Sequence, residues 1–548
     1  MRQIIISVLI LLSLLSAGVK KQPALLRNVS KQQLQVLSRE KIEIDRESSR
    51  FSQGEIAVYL TEEEFEKLSV AGYQLQWNPD TRTKSERERG YYTYETLGSA
   101  LLNLEQTYPE HCKRFSLGQS VQGREMWAVK ISDNVLTDEA EPEFLYSSTM
   151  HGDEVTGMEM LMKLAAELLA GNQAGRDTAS FLVNNTQIYL IPDYNPDGTA
   201  AGERYNANWV DLNRDFPEMA NNDPNTTAGR EIETANMMNW LKNRHIVLGA
   251  NFHGGAEVIN YPFDAGTSQV YSTAPDDIHF RWLSRSYVDR NTSLNVYNSE
   301  YNPGYGITNG AAWYAIDGGM QDWCYNYHNQ LHVTVEISNV KWPDYSQIPE
   351  YWQRNRDAMY WYLLAVHKGV KGVVTDQISG APLAATVRVA GIDKNYYTNP
   401  ANGDFYRILQ PGTYSLTFSA EGYQSRTLEN ITVTDNGDLI GTATELDVKL
   451  GGTAISDDNL PAGYVLEQNY PNPFNPQTRI NYELRVADHV RLAIYNSSGE
   501  LVKTLFDGMQ SAGQHSVNVD GSKLNSGVYF YRLEVAGKSA ERRMLFIK

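Results

Sequence analysis

The chain contains little cysteine: Cys112 and Cys324 are the two among 548 residues. So few cysteines exclude a disulfide-rich scaffold and a metal site built from thiolates. The sequence leaves open whether the two form a disulfide. A metal ion in this protein would therefore have to be held by histidine and carboxylate side chains.

Positive charge is also scarce, because 66 Asp and Glu outnumber 48 Lys and Arg and leave a net charge of −18. Nucleic-acid binding generally needs a basic surface, so no nucleic-acid partner is expected. The acidic balance suits an exported protein or one with cationic substrates. A hydrophobic content of 41% is that of an ordinary globular protein, and 548 residues are too many for one core, which predicts three or four domains.

Long apolar runs are missing after the first, which extends from Ile4 to Ala17 and follows Arg2. This run is too short to cross a bilayer comfortably, and small residues followed by two lysines are typical of a secretory signal peptide. We predict a signal peptide over residues 1–17, with a membrane anchor as the alternative. Because no second run follows, no transmembrane segment is expected in the mature chain.

Residues 18–89 form a charged segment in which "GEIAVYLTEEEFEKLSVAGYQLQW" indicates a strand, a helix and a strand. Thr61 and Glu64 are spaced as a capping box at the start of that helix. The segment ends in "NPDTRTKSERERG", a polar, basic linker that is exposed and easily cut. It is interpreted either as a pro-segment or as a permanent N-terminal accessory unit.

Helical and strand patterns alternate over residues 90–368 and predict an α/β domain, with a mixed, largely buried sheet and helices on both faces. "TGMEMLMKLAAELLAG" predicts a helix that ends at Gly171, and "TQIYLIP", "HIVLGANFH" and "LHVTVEIS" predict buried strands. Short alternating runs over residues 369–450 predict a small all-β sandwich. Residues 451–463 are interpreted as a linker, and residues 464–548 as a second small all-β sandwich.

A candidate metal site begins with "SSTMHGDEVTG", in which His151 precedes Glu154 by three residues. Alone, this spacing is common in polar turns at strand ends. A catalytic zinc ion needs three protein ligands and an open position. His253, in "GANFHGG", offers a third ligand because it also follows an apolar strand, and such strand ends meet at one edge of a sheet. The alternative for each histidine is a structural role at a strand end.

Two further polar groups accompany these candidates. Asn213 and Arg214 are adjacent in "WVDLNRDFP" and together suit a bound carboxylate, although a surface arginine is more often only solvated. Glu336 lies within the apolar strand "LHVTVEIS", where a carboxylate is costly unless it is paired or functional. An exposed strand face shared with His332 and Thr334 is the alternative for Glu336.

Six motifs occur in order: "HGDE", "YNPDG", "RYNANWVDLNRDFP", "NFHGGAEVINYPFD", "GITNGAAWYAIDGGMQDW" and "VTVEIS". With them the chain resembles a zinc carboxypeptidase of the funnel-shaped metallocarboxypeptidase family, and most of all its regulatory branch of carboxypeptidases N, E, D and M. The β domain that follows resembles the transthyretin-like domain of that branch. The last segment, with "YPNPFNP" and "GVYFYRL", resembles the sorting domain of the bacterial type IX secretion system; an Ig-like domain that binds a surface or partner is the alternative.

The resemblance implies one zinc ion per catalytic domain, with His151, Glu154 and His253 as its ligands. It implies that Glu336 takes a proton from zinc-bound water and returns it to the leaving amine. It also implies that Arg204, in "GERYNAN", stabilises the carbonyl oxyanion.

Substrate-binding residues are implied in the same way. Asn213 and Arg214 resemble the pair that holds the terminal carboxylate, and Tyr314 resembles the tyrosine that closes over the bound residue. Arg124, in "QGREMW", resembles an outer subsite arginine.

Two residues of the implied specificity pocket, Gln321 and Asp264, favour C-terminal Lys or Arg. Ala265 stands where the branch usually has a second Asp, which makes a weaker or mixed preference an open alternative.

The predicted function is that of a secreted zinc carboxypeptidase, which removes C-terminal residues from peptides and proteins. We expect export through the periplasm of a bacterium with an outer membrane, delivery by the type IX machinery, and a final location outside the cell or on its surface. Alternatives are a peptidase of broad or mixed specificity, a peptidase of cell-wall peptides, and an inactive relative that binds peptides. Inactive relatives usually lack a zinc ligand or the glutamate, and all four residues are present here.

Overall fold

The structure is a computed structural model, and it describes residues 20–40, 42–77, 88–291, 293–294, 303–434, 437, 440, 443–451, 464–496 and 499–548. The predicted signal peptide and most of the two predicted linkers, residues 78–87 and 452–463, lie outside these ranges. Within them, no helix has both the length and the apolar character needed to cross a membrane. One compact unit comprises the chain up to Thr375 with Ala381–Phe418 and Arg426–Val448; Lys449–Lys548 with two short segments forms the other.

Residues 22–77, called the N-terminal module below, form a four-stranded antiparallel sheet in the order β2-β3-β1-β4 with two helices. Each helix begins at a capping box, Ser30 with Gln33 and Thr61 with Glu64, as predicted for the second. The elements are β1 (Gln22–Arg27), α1 (Lys31–Arg39), β2 (Glu43–Arg50), β3 (Glu55–Leu60), α2 (Glu62–Val70) and β4 (Gln74–Trp77).

A nine-stranded mixed sheet forms the centre of the first unit, in the order β11-β12-β10-β13-β9-β7-β8-β6-β5. The four adjacent strands β8, β7, β9 and β13 are parallel, so their carboxyl ends lie at one edge. The strands are β5 (Cys112–Gln119), β6 (Glu125–Ile131), β7 (Glu143–Ser148), β8 (Gln187–Ile191), β9 (Ile246–His253), β10 (Ala256–Tyr261), β11 (Pro303–Gly304), β12 (Ile307–Asn309) and β13 (Leu331–Ser338). The three buried strands predicted from apolar runs are β8, β9 and β13.

Helices cover both faces of this sheet, as predicted. On β7, Phe144 and Tyr146 enter one apolar core with Leu161 of α4, whereas Leu145 between them enters a second core with Met237 of α7. The helices are α3 (Tyr94–Thr107), α4 (Thr156–Gln173), α5 (Asp177–Val183), α6 (Pro196–Ala201), α7 (Ile232–Leu241), α8 (Asp277–Asp289), α9 (Gly310–Tyr314), α10 (Met320–His328) and α11 (Ile348–Leu364). Short 3-10 turns occupy Phe51–Gln53, Leu212–Arg214, Met219–Asn221, Tyr345–Gln347 and Ala365–His367.

The predicted end of α4 at Gly171 is wrong, because the helix continues to Gln173. Gly171 is buried, and a Cβ there would lie 2.7 Å from Cβ of Ala179 in α5. This glycine therefore permits close packing of two helices rather than ending one of them.

Two β-rich parts follow the α/β domain, which agrees with the predicted fold class. In the first, strands pair in the orders β17-β14-β20 and β16-β15-β18-β19; in the second, in the orders β22-β23-β26 and β25-β24-β27-β28. The first contains β14 (Val370–Asp376), β15 (Ala385–Val389), β16 (Asn395–Tyr397), β17 (Asp404–Arg407), β18 (Gly412–Ala420), β19 (Arg426–Val433), β20 (Thr444–Glu445) and β21 (Val448–Leu450). The second contains β22 (Val465–Leu466), β23 (Gln477–Leu484), β24 (Asp488–Asn496), β25 (Leu501–Gln510), β26 (Gly513–Asp520), β27 (Gly527–Val535) and β28 (Lys538–Phe546).

Candidate active site

Three buried side chains with metal-binding atoms meet at the carboxyl edge of the central sheet. His151 and Glu154 lie in the loop after β7, and His253 is the last residue of the neighbouring strand β9. Glu154 Oε2 lies 3.0 Å from His151 Nδ1 and 2.9 Å from His253 Nδ1, and the two Nδ1 atoms are 3.1 Å apart. The structure thus brings the three predicted ligands together.

This donor set fits a zinc ion. Two imidazole nitrogens and one carboxylate are a common ligand set for catalytic zinc, with the fourth position left for water or substrate. Two Nδ1 atoms at 3.1 Å cannot both carry hydrogens directed at each other, so at least one lone pair points into the cluster. A shared cation removes the repulsion between these lone pairs and the Glu154 carboxylate, so His151, Glu154 and His253 are the residues that would hold it.

The loop between β7 and α4 depends on a glycine for this arrangement. A Cβ at Gly157 would lie 2.3 Å from Oγ of Ser148 and 2.5 Å from Cβ of Phe252. Any side chain here would push the start of α4 away from β7 and β9, the strands that lead into His151 and His253.

Arg204 is buried beside the cluster, and Asp211 balances its charge. Arg204 Nε and Nη2 lie 3.1 and 2.9 Å from Asp211 Oδ2, and Nη1 lies 3.1 Å from His151 Nδ1. Asp211 Oδ1 is 3.1 Å from His151 Nε2. Burial and Arg204 oppose a proton on His151, but Glu154 and Asp211 outweigh both and raise its pKa to about 9. Asp211 therefore orients His151, because it accepts from Nε2 and leaves Nδ1 directed at the cluster.

Glu336 lies next to the cluster because of strand register. β13 runs parallel to β9, and the pairing places Glu336 directly opposite His253. Glu336 is fully buried in a strand whose residues are all buried, so the exposed strand face considered for it is wrong.

Asn213 and Arg214 lie in a 3-10 turn that Asp211 caps through the backbone N–H of Asn213, at 2.8 Å. Asn213 Oδ1 accepts from the backbone N–H of Met320 at 3.0 Å, which orients the amide. Arg214 is half-buried and donates through Nη1 to the carbonyl of Asn213 at 2.9 Å. The two residues thus stand beside the start of α10, which carries Gln321.

The predicted pocket residues Asp264 and Gln321 are buried, and the carboxyl group of Asp322 accepts hydrogen bonds from the backbone at Asp264. Asp264 is 1% exposed, and Asp322 accepts its backbone N–H at 2.8 Å and that of Ala265 at 2.9 Å. Burial first, then Asp264 and Glu218, raise the pKa of Asp322 well above its ordinary value. This part of the molecule therefore brings three acidic side chains together, and their proximity disfavours the charged form of Asp322.

The N-terminal module lies against this site. Tyr314, in α9, stacks on Phe51 of the module at 5.8 Å between ring centroids and belongs to the module's apolar core. Lys341 Nζ is 2.8 Å from Glu154 Oε1 and 3.0 Å from Asp45 Oδ2 of the module. Glu43 Oε1 accepts from the Tyr205 hydroxyl at 2.8 Å.

Arg124 belongs to a different polar group. Its Nη1 lies 2.6 Å from Asp197 Oδ1, and its guanidinium lies 5.9 Å from the ring centre of Tyr94. The contacts of Arg124 are thus with α6 and α3 rather than with the metal-binding cluster.

Four residues of the site were missed from the sequence: Lys341, Asp211, Asp322 and Glu218. Asp211 and Asp322 lie in the motifs "DLNR" and "GGMQDW", which also contain Asn213 and Gln321. Their closeness in sequence to these two residues was the available signal. Lys341 follows Glu336 by five residues but carries no local signal of its own.

Three segments match known protein families. Residues 98–358 match the zinc carboxypeptidase family, residues 369–451 the carboxypeptidase regulatory-like domain, and residues 468–548 the secretion system C-terminal sorting domain. The catalytic chain of mouse carboxypeptidase N is 34% identical over 377 residues, which cover 62% of this chain and 82% of that protein. Carboxypeptidase SOL1 of Arabidopsis thaliana is 39% identical over 352 residues, covering 62% of this chain and 70% of that protein.

The chain belongs to the zinc carboxypeptidase family. Human carboxypeptidase D is also similar, at 41% identity over 350 residues, which are 60% of this chain. The chain spans about a quarter of the length of that relative, because the match covers 25% of it. As a member of a zinc family with a fitting His-Glu-His group, the chain has zinc as its metal.

Proposed function

We propose that this chain is a zinc carboxypeptidase that hydrolyses the last peptide bond of peptides and proteins, with a preference for C-terminal Lys or Arg. One observation carries the proposal: the cluster of His151, Glu154 and His253 lies at the sheet edge beside Glu336, and Arg204 contacts it from the loop after α6. A binding protein without activity has no need of this buried set.

A zinc ion held by His151, Glu154 and His253 would supply a water with a pKa lowered to roughly 7 and would polarise the scissile carbonyl. Glu336 would accept a proton from the water as its oxygen bonds to the carbonyl carbon, and would deliver that proton to the amine nitrogen as the C–N bond breaks. Arg204, fixed by two hydrogen bonds to Asp211, presents Nη1 at the cluster and stabilises negative charge on the carbonyl oxygen.

Restriction to the last residue comes from the carboxylate pair. Arg214 can donate two parallel hydrogen bonds to a carboxylate, and the Asn213 amide, with its oxygen toward Met320, presents its nitrogen as a further donor. An internal peptide bond has no carboxylate to place there. The geometry therefore favours exopeptidase over endopeptidase action.

The preference for Lys or Arg rests on the negative charge of the pocket. Asp264 Oδ1 accepts a hydrogen bond from Nδ2 of Asn260 at 3.0 Å, and Asp322 accepts one from the backbone N–H of Asp264. A cationic substrate side chain would favour the charged form of these buried acids and would pair with it. Ala265 removes a carboxylate from the pocket edge, which is the observation that favours a mixed specificity as the second candidate.

We further propose that the N-terminal module is a pro-segment that keeps the enzyme latent. It contacts Tyr314 through Phe51, Lys341 through Asp45, and Arg204 through the ring of Tyr59, 5.4 Å away. A substrate needs the space at these groups. Release of the module after cleavage in the linker would open the site.

We propose peptide and protein C-termini as substrates and the type IX secretion machinery as the partner for export. The match of residues 468–548 to the sorting domain supports export by the type IX machinery. The protein would then act outside the cell or on its surface.

Release of amino acids from matched peptides tests the function. Peptides that differ only in a final Arg, Lys, Phe, Leu or Glu are incubated with zinc-loaded chain, before and after cutting in the linker, with Glu336→Gln as control. Chelator-sensitive release of Arg and Lys by the cut chain alone is expected. Equal release of Phe and Leu would overturn the basic preference, and no release of any residue by the cut chain would overturn the proposed activity.

A further inference from the structure

A line of four buried polar side chains connects the metal ligand His253 to the pocket residue Gln321. His253 Nε2 is 2.9 Å from Nδ2 of Asn251, and Asn251 Oδ1 is 2.9 Å from Oγ1 of Thr334. Thr334 Oγ1 is also 2.9 Å from Oε1 of Gln321. Each of the four is at most 1% exposed, so water does not compete for these contacts.

Strand register creates this line. β9 and β13 are parallel, and Thr334 pairs with Asn251 as Glu336 pairs with His253. Alternate residues of a strand share one face, so the side chains of Asn251 and His253 are neighbours on β9, and Thr334 stands beside them on β13. Gln321, in α10, reaches the same face from the neighbouring helix.

The direction of the hydrogen bonds follows from two conflicts. A threonine hydroxyl has one hydrogen, which cannot be donated both to Asn251 Oδ1 and to Gln321 Oε1. His253 Nδ1 faces the other ligands, so with a metal on Nδ1 the ring hydrogen is on Nε2 and needs an acceptor, yet the amide nitrogen of Asn251 stands opposite it.

One change resolves both conflicts. Amide oxygen and nitrogen have nearly the same shape, and turning the Asn251 amide by half a turn exchanges them. His253 Nε2–H then donates to Asn251 Oδ1, Asn251 Nδ2 donates to Thr334 Oγ1, and the Thr334 hydroxyl donates to Gln321 Oε1. Each of these three contacts then has one donor hydrogen and one acceptor.

We infer that Asn251 and Thr334 are positioning residues that hold His253 in its metal-binding tautomer and Gln321 in the specificity pocket through one directed hydrogen-bond chain. The inference deepens the proposed function, since it rests on the same zinc site. It also gives the buried Thr334 hydroxyl of β13 a role, because this hydroxyl is the link that the metal ligand and the pocket residue share.

Zinc affinity is the decisive readout, because it does not require activity. It is measured by competition with a chromophoric chelator in the Glu336→Gln background, so that a failure of the proposed hydrolysis leaves the measurement intact. Thr334→Val keeps the side-chain shape and removes the hydroxyl, and we expect zinc affinity to fall about tenfold, within the range typical of losing a hydrogen bond that orients a metal ligand. Thr334→Ser restores the hydroxyl and is expected to restore affinity.

Asn251→Asp tests the direction of the chain. A carboxylate can accept from His253 Nε2–H, so zinc affinity should be kept, whereas Asn251→Leu should lower it roughly 10- to 100-fold. If Asn251 instead donated to Nε2, the Asp variant would lose affinity like the Leu variant.

The link to the pocket has a readout of its own. In the linker-cut chain, Thr334→Val is expected to raise KM for a peptide ending in Arg severalfold, with Thr334→Ser near the unchanged chain. Circular dichroism of each variant establishes that it is folded. Zinc affinity within twofold of the parent in both Thr334→Val and Asn251→Leu would overturn the inference; a change in zinc affinity without a change in KM would overturn the part that concerns Gln321.

Discussion

Asp45 of the N-terminal module and the predicted metal ligand Glu154 share one cation: Lys341 Nζ lies 3.0 Å from Asp45 Oδ2 and 2.8 Å from Glu154 Oε1. Burial disfavours the charge on Lys341, but Asp153, Asp45 and Glu154 outweigh it and raise its pKa well above the ordinary value. Lys341 is therefore charged at neutral pH, and the module supplies one of the carboxylates that balance it.

We expect Asp45→Asn to increase the activity of the intact chain. Loss of the carboxylate leaves Lys341 with fewer negative partners and weakens the docking of the module. Each ~1.4 kcal/mol of docking free energy that is lost raises the population of chain with an undocked module about tenfold, while that population is small. The measurement is kcat/KM of the uncut chain for a peptide ending in Arg.

Glu55→Gln is the matched control for this change, because Glu55 pairs with Arg27 inside the module at 3.9 Å and both are partly exposed. It should leave the activity of the uncut chain unchanged. The proposal that the module keeps the enzyme latent would be contradicted if the chain freed of its module had the same low kcat/KM as the intact chain.

Glu336→Gln is expected to lower kcat by about 10²–10⁴, the range for loss of a general base, while zinc binding is retained. The two side chains have the same shape, and Glu336 is not one of the three grouped ligands, so the metal site should remain. Single-turnover hydrolysis and zinc content are measured on the same sample. Full loss of zinc in this variant would instead indicate a ligand role for Glu336.

Asp264→Asn is expected to lower kcat/KM for peptides ending in Arg or Lys by roughly 10- to 100-fold, because a buried charge that pairs with the substrate is lost. Cleavage of peptides ending in Leu should be unchanged or faster. Ala265→Asp is the opposite change and should strengthen the preference for basic ends. Parallel losses for Arg and Leu peptides in the first variant would show that Asp264 supports the fold and not the specificity.

The strands and the candidate ligands were predictable because their signals are local. Continuous apolar, β-branched runs indicated β8, β9 and β13, and histidines just after such runs had to meet at one sheet edge. The contact between Asp45 and Lys341 has no such signal, since it depends on how a separate module docks. The wrong helix end at Gly171 also comes from a non-local contact. A glycine locally indicates a helix end, whereas the role of Gly171 is set by Ala179 of another helix.

Zinc removal should destabilise the first compact unit. A ligand that binds only the folded state stabilises it by RT ln(1 + [L]/Kd), about 4 kcal/mol at a concentration a thousand times Kd. The thermal unfolding midpoint should therefore fall on dialysis against a chelator and recover with added zinc. His253→Ala removes a ligand and should abolish the recovery; a midpoint that responds to zinc equally in this variant would place the stabilising site elsewhere.

Acid should destabilise the protein partly through His279 of α8. Its Nδ1 accepts the backbone N–H of Gln410 at 3.2 Å, so that nitrogen must be unprotonated. Burial first, then Arg407, lower its pKa to about 4. An unfolded histidine has a pKa near 6.5, so between pH 6.5 and about 4 the unfolded state binds more protons and stability falls as the pH is lowered.

We expect His279→Asn to be less sensitive to acid than the parent chain. The Asn oxygen stands close to where Nδ1 lies and accepts the same N–H, but it has no proton to bind. Between pH 6.5 and 5, the variant should lose up to about 2 kcal/mol less unfolding free energy than the parent. Each pH unit contributes at most ~1.4 kcal/mol per titrating site. Urea unfolding at the two pH values measures it, with the exposed His489→Asn as control. The parent and His279→Asn differ in no titrating group other than His279, and His489→Asn measures the effect of losing an exposed histidine. An equal loss in all three proteins would therefore mean that His279 is protonated in the folded chain and that its bond to Gln410 does not hold it neutral.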